Sequence, residues 1–344
     1  MTYPETITSV EQLENLLAVP TPELIDLMRR LYGDIMILGI AGKIGVSLGH
    51  QAVNAIREAG VKKRVIGVSR FSDPASRELL EAWGVETISC DLMNREAVAQ
   101  LPKVKNVIFM AGRKFGTDGS EHLTWAMNVL LPYWVGEHFR DSNVVVFSTG
   151  CVYPLATVES CGCDESVAPA PVGEYSQSCL GRERVFEYCA RTFGTKVLLF
   201  RLNYAVDLRY GVLHDIAMDI ANNRPVNNTV GYFNVIWQGD VTANALRALE
   251  MCDNPPAILN VTGPETASVA KTARTMGEIM GLPVTFRGEP GNLCYLNDAG
   301  LMCRKFGYPH VSLEQMIRWQ AAWIANGGIS IGKPTHFEVN NGKF

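Results

Sequence analysis

With 344 residues, 47% of them hydrophobic and 19% charged, the chain has the composition of a folded protein and the length for one large domain or two modest ones. Thirty-one Lys and Arg against 35 Asp and Glu leave a net charge of -4, the wrong sign for broad binding to a phosphate backbone, so nucleic acid is not an expected partner. The start lacks a basic segment followed by an apolar core, and no apolar run reaches the roughly 18 residues of a membrane span, so a cytoplasmic protein with no membrane partner is expected.

Residues 1–32 read as a helical preface, with Ser9 and Gln12 fitting a capping box and Thr21 preceding a proline at a first helical position. From Asp34 the pattern changes to short apolar runs separated by amphipathic stretches: Ile35–Leu38, Val65–Val68, Val85–Ile88, Val107–Met110, Val144–Phe147 and Val197–Phe200. Runs of this kind, each followed by helical periodicity, predict parallel strands buried on both faces. The expected fold is α/β, a doubly wound parallel sheet of the Rossmann kind with a smaller, mainly C-terminal substrate lobe. Asp240–Met251 reads as a helix, Ala257–Val261 as a further strand, and Ala267–Met280 and Leu313–Ala325 as helices of that lobe. The expected division is 1–32 as an extension, 33–202 plus 233–262 as a dinucleotide-binding domain, 203–232 plus 263–330 as the substrate lobe, and 331–344 as a tail without a clear period. The nine cysteines, an odd number at low density, point to free thiols. Cys161 and Cys163 are the only close pair, and with no second pair at a fixed offset no metal is expected.

Gly39, Gly42 and Gly45 stand directly between the first strand and the next helix, with Lys43 and Ile44 inside the loop. Glycine suits that position because the backbone must turn tightly and approach a pyrophosphate, while the helix start offers free N–H groups. The second strand ends at Ser69-Arg70 rather than at an acidic residue. An arginine there suits a ribose 2'-phosphate, so together with Lys43 it favours NADP, with NAD as second choice.

In order along the chain, the motifs resemble those of the extended short-chain dehydrogenase/reductase superfamily, the NAD-dependent epimerase/dehydratase type, over nearly all of residues 34–326. Cys90-Asp91-Leu92 is similar to the family's adenine-side segment, and Phe109-Met110-Ala111-Gly112 to the strand end beside the cofactor ribose. Asn128 matches the family's helix Asn, and Ser148-Thr149-Gly150-Cys151-Val152-Tyr153-Pro154 its Ser/Thr segment; Arg201-Leu202-Asn203, Gly239-Asp240-Val241 and Leu259-Asn260-Val261 follow in family order. The resemblance implies cofactor contacts at Gly39, Gly42, Lys43, Ile44, Gly45, Ser69, Arg70, Asp91, Leu92, Ala111, Gly112 and position 179, and catalytic roles for Thr149, Tyr175 and Asn128.

One departure matters. In that family a Tyr and a Lys four residues later share a helix face, so that the ammonium lowers the phenol pKa and holds the nicotinamide ribose. Here the segment reads Tyr175-Ser176-Gln177-Ser178-Cys179. A thiol supplies no positive field, so another cation must compensate if the chemistry survives; Arg113 and Lys114, in the loop after the fourth strand, are the candidates by family topology. Sugar 4,6-dehydratases carry Asp-Glu where this chain has Gly150-Cys151, which disfavours dehydration. The Cys151-Val152-Tyr153-Pro154 run is instead similar to a segment of GDP-fucose synthase and GDP-mannose 3,5-epimerase, in which the Cys transfers protons next to a keto group. His214 lies in the region of the partner His of the former. The expectation is an NADP(H)-dependent oxidoreductase or epimerase acting on a sugar-like or nucleotide-sugar substrate, as a homodimer through the helices beginning near Gly119 and Tyr175. Thr149 and Tyr175 would serve the reacting oxygen, and Cys151 and His214 a neighbouring carbon. The alternative is a non-catalytic NADP(H)-binding regulatory or interaction protein. Arg201, Arg209, Arg224 and Arg287 are open candidates for an anionic group on the substrate.

Overall fold

A computed structural model of the chain describes residues 3–114, 116–333, 335–339 and 342. The strands of its main sheet are β1 (Ile35–Leu38), β2 (Val65–Ser69), β3 (Glu86–Ser89), β4 (Asn106–Phe109), β5 (Asn143–Thr149), β6 (Lys196–Leu202) and β7 (Ala257–Val261). All neighbours pair in parallel, in the order β7-β6-β5-β4-β1-β2-β3. Each strand lies within a residue or two of an apolar run in the sequence. The runs are continuous because both faces are covered: Ile35 and Ile37 of β1 enter one core, Met36 and Leu38 the other, and Val145 and Phe147 of β5 alternate likewise with Val144 and Val146.

The helices, in chain order, are α1 (Val10–Leu17), α2 (Pro22–Arg30), α3 (Lys43–Ala59), α4 (Pro74–Trp83), α5 (Arg95–Ala99), α6 (Glu121–Trp125), α7 (Leu131–His138), α8 (Gly173–Phe193), α9 (Val212–Ala221), α10 (Gln238–Arg247), α11 (Val269–Met280), α12 (Gly300–Phe306) and α13 (Leu313–Ala325). Those against the sheet divide between its faces, with α2, α3 and α10 on one and α7 and α8 on the other. A five-residue π-helical turn, Ala126–Leu130, joins α6 to α7. None of the described helices is long and apolar enough to cross a membrane.

Beside the sheet, α9, α11 and α13 enclose a second apolar core around Ile216, Met276 and Trp319. The first 32 residues are not a detached preface. Leu24, Leu27 and Met28 of α2 complete the sheet's core, while Ile7, Leu13 and Leu17 enter the second core. The Ser9 and Thr21 side chains accept from the N–H groups of Gln12 and Leu24 as the sequence predicts, at 3.1 and 3.2 Å. The described residues of the tail pack on the body, with Phe337 buried beside Phe233 at 6.3 Å between ring centroids.

A buried polar chain ties β5, β6 and β7 to α8 and to the turn after β5. Arg201 on β6 donates to both carboxylate oxygens of Glu183 on α8 at 2.9 and 2.7 Å, and Ser148 on β5 donates to the same carboxylate at 2.5 Å. The Arg201 guanidinium also lies 4.7 Å from the centroid of the Tyr153 ring, and the Tyr153 hydroxyl donates to Asn260 Oδ1 at 2.9 Å. Arg201 is therefore taken up inside the fold rather than offered to a ligand. Breaking such a pair from one side leaves a buried charge uncompensated. Arg201→Met should lower the free energy of unfolding by about 3–5 kcal/mol in urea titrations, and a loss below about 1 kcal/mol, the range of exposed pairs, would contradict this assignment.

Candidate active site

The strand order reverses between β1 and β4, and in doubly wound sheets the crevice at the carboxyl ends of such strands is where ligands sit. A cavity of about 310 Å³ opens there. Its walls come from the loop after β1 (Gly39, Gly42, Lys43, Ile44, Gly45), the loop after β4 (Met110, Gly112, Arg113, Lys114), the end of β5 (Phe147, Ser148, Thr149, then Cys151), and Tyr175 and Arg182 of α8. Asn203, Tyr204, Tyr210, Gln238 and Thr335 close the side toward the second lobe.

The glycine loop turns too tightly to admit side chains. Gly39 has φ +89°, and a Cβ there would meet the Ala111 nitrogen at 2.8 Å; a Cβ on Gly45 would overlap the Ile40 carbonyl. Gly42 then caps α3 with no side chain of its own, leaving the helix start open toward the cavity. Lys43 turns inward, its Nζ 3.1 Å from the centroid of the Tyr210 ring. Desolvation and the nearby Lys114 and Lys333 charges push its pKa down to about 7.

Thr149 and Tyr175 face this same space, together with Cys151. The Thr149 hydroxyl accepts from the Cys151 N–H at 3.2 Å. Burial raises the Cys151 thiol above its ordinary value, an effect that Lys114 opposes. Burial also raises the Tyr175 phenol, the Cys179 and Cys151 thiols add to that, and the Arg182 guanidinium works the other way. Of the two compensating cations expected, Lys114 does reach the site: its Nζ lies 5.7 Å from the Tyr175 ring centroid and donates to the Thr335 carbonyl at 3.4 Å. Desolvation lowers its pKa, however, so its charge is itself weakened. Arg113 lines the cavity but directs Nη2 to the Gly116 carbonyl at 2.6 Å.

Other expected site residues are placed elsewhere. His214 does not line the cavity. Its Nδ1 sits 3.0 Å from the Leu208 carbonyl and its Nε2 2.8 Å from Ser330 Oγ, so both ring nitrogens are engaged in holding α9 to the chain around it. Asn128 is fully buried in the π-helical turn: its amide donates to the Arg113 carbonyl and Ser178 Oγ, each at 2.9 Å, and its Oδ1 accepts from Arg113 N and Arg182 Nη2 at 2.9 and 2.6 Å. It is a bracket behind the cavity, not a group facing a substrate. Cys179 is buried against Tyr175 and the apolar cluster around Tyr153, also outside the cavity wall. Ser69, Arg70, Asp91 and Leu92 sit at the ends of β2 and β3, and Ala111 behind Gly39; none lines the cavity. Arg70 is exposed while Lys43 points inward, so the two cations read together from the sequence belong to different places.

The open anion candidates are largely committed as well. Arg209 pairs with Glu14 and Asp207, each at 2.5 Å, and Arg224 with Asp219 at 2.9 Å, while Arg287 is exposed. Arg182, Tyr204, Tyr210, Gln238 and Thr335 line the cavity without having been singled out by the sequence reading. Arg182 stands three residues beyond Cys179, hence on the same helix face, a signal available in the sequence. Thr335 comes from the tail, where its N–H and hydroxyl both donate to Asp215 Oδ2 at 2.8 and 2.5 Å; a segment without periodicity gave no signal.

No protein-family model and no curated protein matches the chain. Solved structures do. It is similar to UDP-glucuronic acid 4-epimerase from Bacillus cereus in complex with NAD (TM-score 0.68, 17% identity, covering 85% of this chain and 98% of that one). It is also similar to a UDP-galactose 4-epimerase (0.67, 23%, 86% and 99%) and to dTDP-glucose 4,6-dehydratase from Streptomyces venezuelae with NAD bound (0.71, 18%, 85% and 97%). At these identities the likeness establishes the fold, and the α/β Rossmann-like architecture is that of these structures.

The thiols offer a direct check on burial at the site. With native protein at pH 7, iodoacetamide should modify the exposed Cys161 rapidly and leave Cys151 and Cys179 unmodified until the chain unfolds. Peptide mapping that found Cys151 alkylated as fast as Cys161 would contradict a buried, protonated thiol there.

Proposed function

We propose that the protein is a nicotinamide-dinucleotide-dependent oxidoreductase or epimerase acting at a single carbinol or keto carbon of a sugar-like substrate. The observation that carries this reading is the convergence of Thr149 and Tyr175 on the same cavity as the glycine loop. The residues fit the dinucleotide: the loop after β1 carries no side chain at Gly39, Gly42 or Gly45, where at the first and last of these a Cβ would strike the Ala111 or Ile40 backbone, and it borders the cavity at the start of α3. When bound, the nicotinamide ring supplies hydride acceptance and return. The chain's own work is then proton handling. The Thr149 hydroxyl orients the reacting oxygen, and Tyr175 removes the proton from that oxygen or gives it back. The similar structures include a UDP-glucuronic acid 4-epimerase and a dTDP-glucose 4,6-dehydratase, both with NAD, and a UDP-galactose 4-epimerase, which supports a nucleotide sugar or a related polyol as substrate.

Two parts of the expected chemistry are narrowed. With His214 engaged outside the cavity, the Cys151–His214 pair for a neighbouring carbon loses its second member. That favours oxidation, reduction or inversion at one centre through a transient ketone, which needs only one proton relay. NADP as first choice rested on Arg70 and Lys43 acting together. Lys43 faces the pyrophosphate end instead, so discrimination for a 2'-phosphate falls to Arg70 alone, and NAD becomes the equal candidate.

Tyr175→Phe should cut turnover by about 10²–10⁴ on whichever UDP-sugar, keto-sugar or polyol of a test panel the wild type converts, with NADH binding retained. Wild-type protein that binds NADH yet turns over none of them would favour the non-catalytic binder. Lys43 makes the binding itself pH-dependent. An anion at the start of α3 raises the lysine's pKa above its free value of about 7, so below pH 7 both free and bound forms carry the proton and affinity is at its plateau. Above pH 7 the free form has lost that proton and binding must take it up. NADH affinity should therefore fall by up to about tenfold per pH unit between pH 7.5 and 9, with net proton uptake in calorimetry. Affinity independent of pH across that range would contradict the placement of Lys43, and tighter binding of NADPH than NADH that Arg70→Glu abolishes would restore the NADP preference.

A further inference from the structure

We infer that Arg182 has taken over the post of the absent lysine, supplying from one helical turn further along α8 the fixed positive charge behind Tyr175 and a donor for the ribose of the bound dinucleotide. The inference rests on the dinucleotide reading for its ligand, though not for its effect on the phenol.

The geometry begins with helix periodicity. Positions 175, 179 and 182 are spaced four and three residues apart and share one face of α8. Side chains on a helix lean toward its N-terminus, so a long chain at 182 reaches back over position 179 toward 175. Cys179 is short enough to leave that path open. Arg182 lines the cavity although it is 94% removed from solvent, at 6% exposure.

Its surroundings are built to hold a guanidinium. Nη1 donates to the Phe147 carbonyl at the end of β5 at 2.7 Å, and Nη2 donates to Asn128 Oδ1 at 2.6 Å. The π-helical turn that carries Asn128 thereby becomes the clamp of this arginine. Gly112 is part of the same arrangement, because a Cβ there would overlap the guanidinium. Nε is buried and meets no acceptor among the described residues. A buried donor left in that condition is costly, and a hydroxyl of a ligand in the adjoining cavity would satisfy it.

Charge decides between Arg182 and Lys114. The groups facing Tyr175 include, among the described residues, Cys179 and Arg182 from its own helix, Cys151 from the turn after β5 and Lys114 from the loop after β4. An ammonium desolvated in this wall gives up its proton more readily, as the lowered pKa of Lys114 indicates, whereas a guanidinium remains charged when buried. Arg182 is thus the cation assigned to the phenol.

Two readouts test this in the full chain. The first is NADH affinity by fluorescence titration. Arg182→Met should weaken it about tenfold, the loss of one charge-assisted hydrogen bond, and Cys179→Lys added to that variant should restore it to within about threefold. The second uses 3-fluorotyrosine at position 175, followed by ¹⁹F NMR without any ligand. The phenol should titrate at higher pH in Arg182→Met than in the parent and return downward when Cys179→Lys is added. If Arg182→Met does not fold, Arg182→Lys and the double variant carry the comparison, since each keeps one cation on that helix face. Unchanged phenol titration in a folded Arg182→Met protein, or a folded double variant that binds NADH as weakly as Arg182→Met, would overturn the inference. A wild type that fails to bind NADH would refute the dinucleotide reading, while the ¹⁹F titration would still decide the role of Arg182.

Discussion

Taking a charged side chain out of water costs several kcal/mol unless the fold returns nearly all of its hydrogen bonds, and α8 buries two such side chains in succession. Glu183 is matched by Arg201 and Ser148, and Arg182 by the Phe147 carbonyl and Asn128. These contacts pin α8 to β5, to β6 and to the π-helical turn at once. Since Tyr175 rides on the same helix and Thr149 ends β5, the buried charges set the distance between the two groups that would serve a reacting oxygen. Stability and site geometry therefore share one network.

The same economy shapes the electrostatics of the cavity. Two lysines, two arginines, three tyrosines and a cysteine border a space of about 310 Å³, and desolvation acts on the lysines, the phenols and the thiol. It raises the phenols and the Cys151 thiol and lowers both lysines, so that most of these groups are driven toward neutrality. On the proposed reading, a neutral phenol with the Arg182 guanidinium behind it offers a proton donor that a polar substrate and a dinucleotide would complete. The tail contributes to the enclosure, because Asp215 holds Thr335 in the cavity wall and the Thr335 carbonyl accepts from Lys114.

Much of the architecture was legible in the sequence because parallel strands covered on both faces must be apolar without interruption, and no surface stretch imitates that. β1 and β7 coincide with the apolar runs at both ends, and α13 with its periodic segment. The glycine loop was legible for a steric reason, since the neighbouring backbone needs the room of the absent Cβ. Polar residues were less legible because their type does not reveal their partners. Arg201 and Arg209 look like anion receptors in a sequence and turn out to face Glu183, Asp207 and Glu14. His214 resembles a proton carrier until both its nitrogens are seen to be occupied. Arg182 was less legible than the loop cations because an arginine within a helix reads as a surface charge, although its spacing from Cys179 puts it on the helix face of Tyr175. Thr335 had no sequence signal at all, because a segment docked by a few residues carries no period.

The central claim is that the phenol of Tyr175 and the hydroxyl of Thr149 face the reactive end of a dinucleotide whose ribose is held from α8. A crystal structure of the NADH complex tests this most directly. The account predicts the nicotinamide C4 on the side of Thr149 and Tyr175, with a ribose hydroxyl about 3 Å from the Arg182 guanidinium. A ring turned away from those two side chains, or a ribose held by Lys114 with Arg182 out of reach, would contradict it.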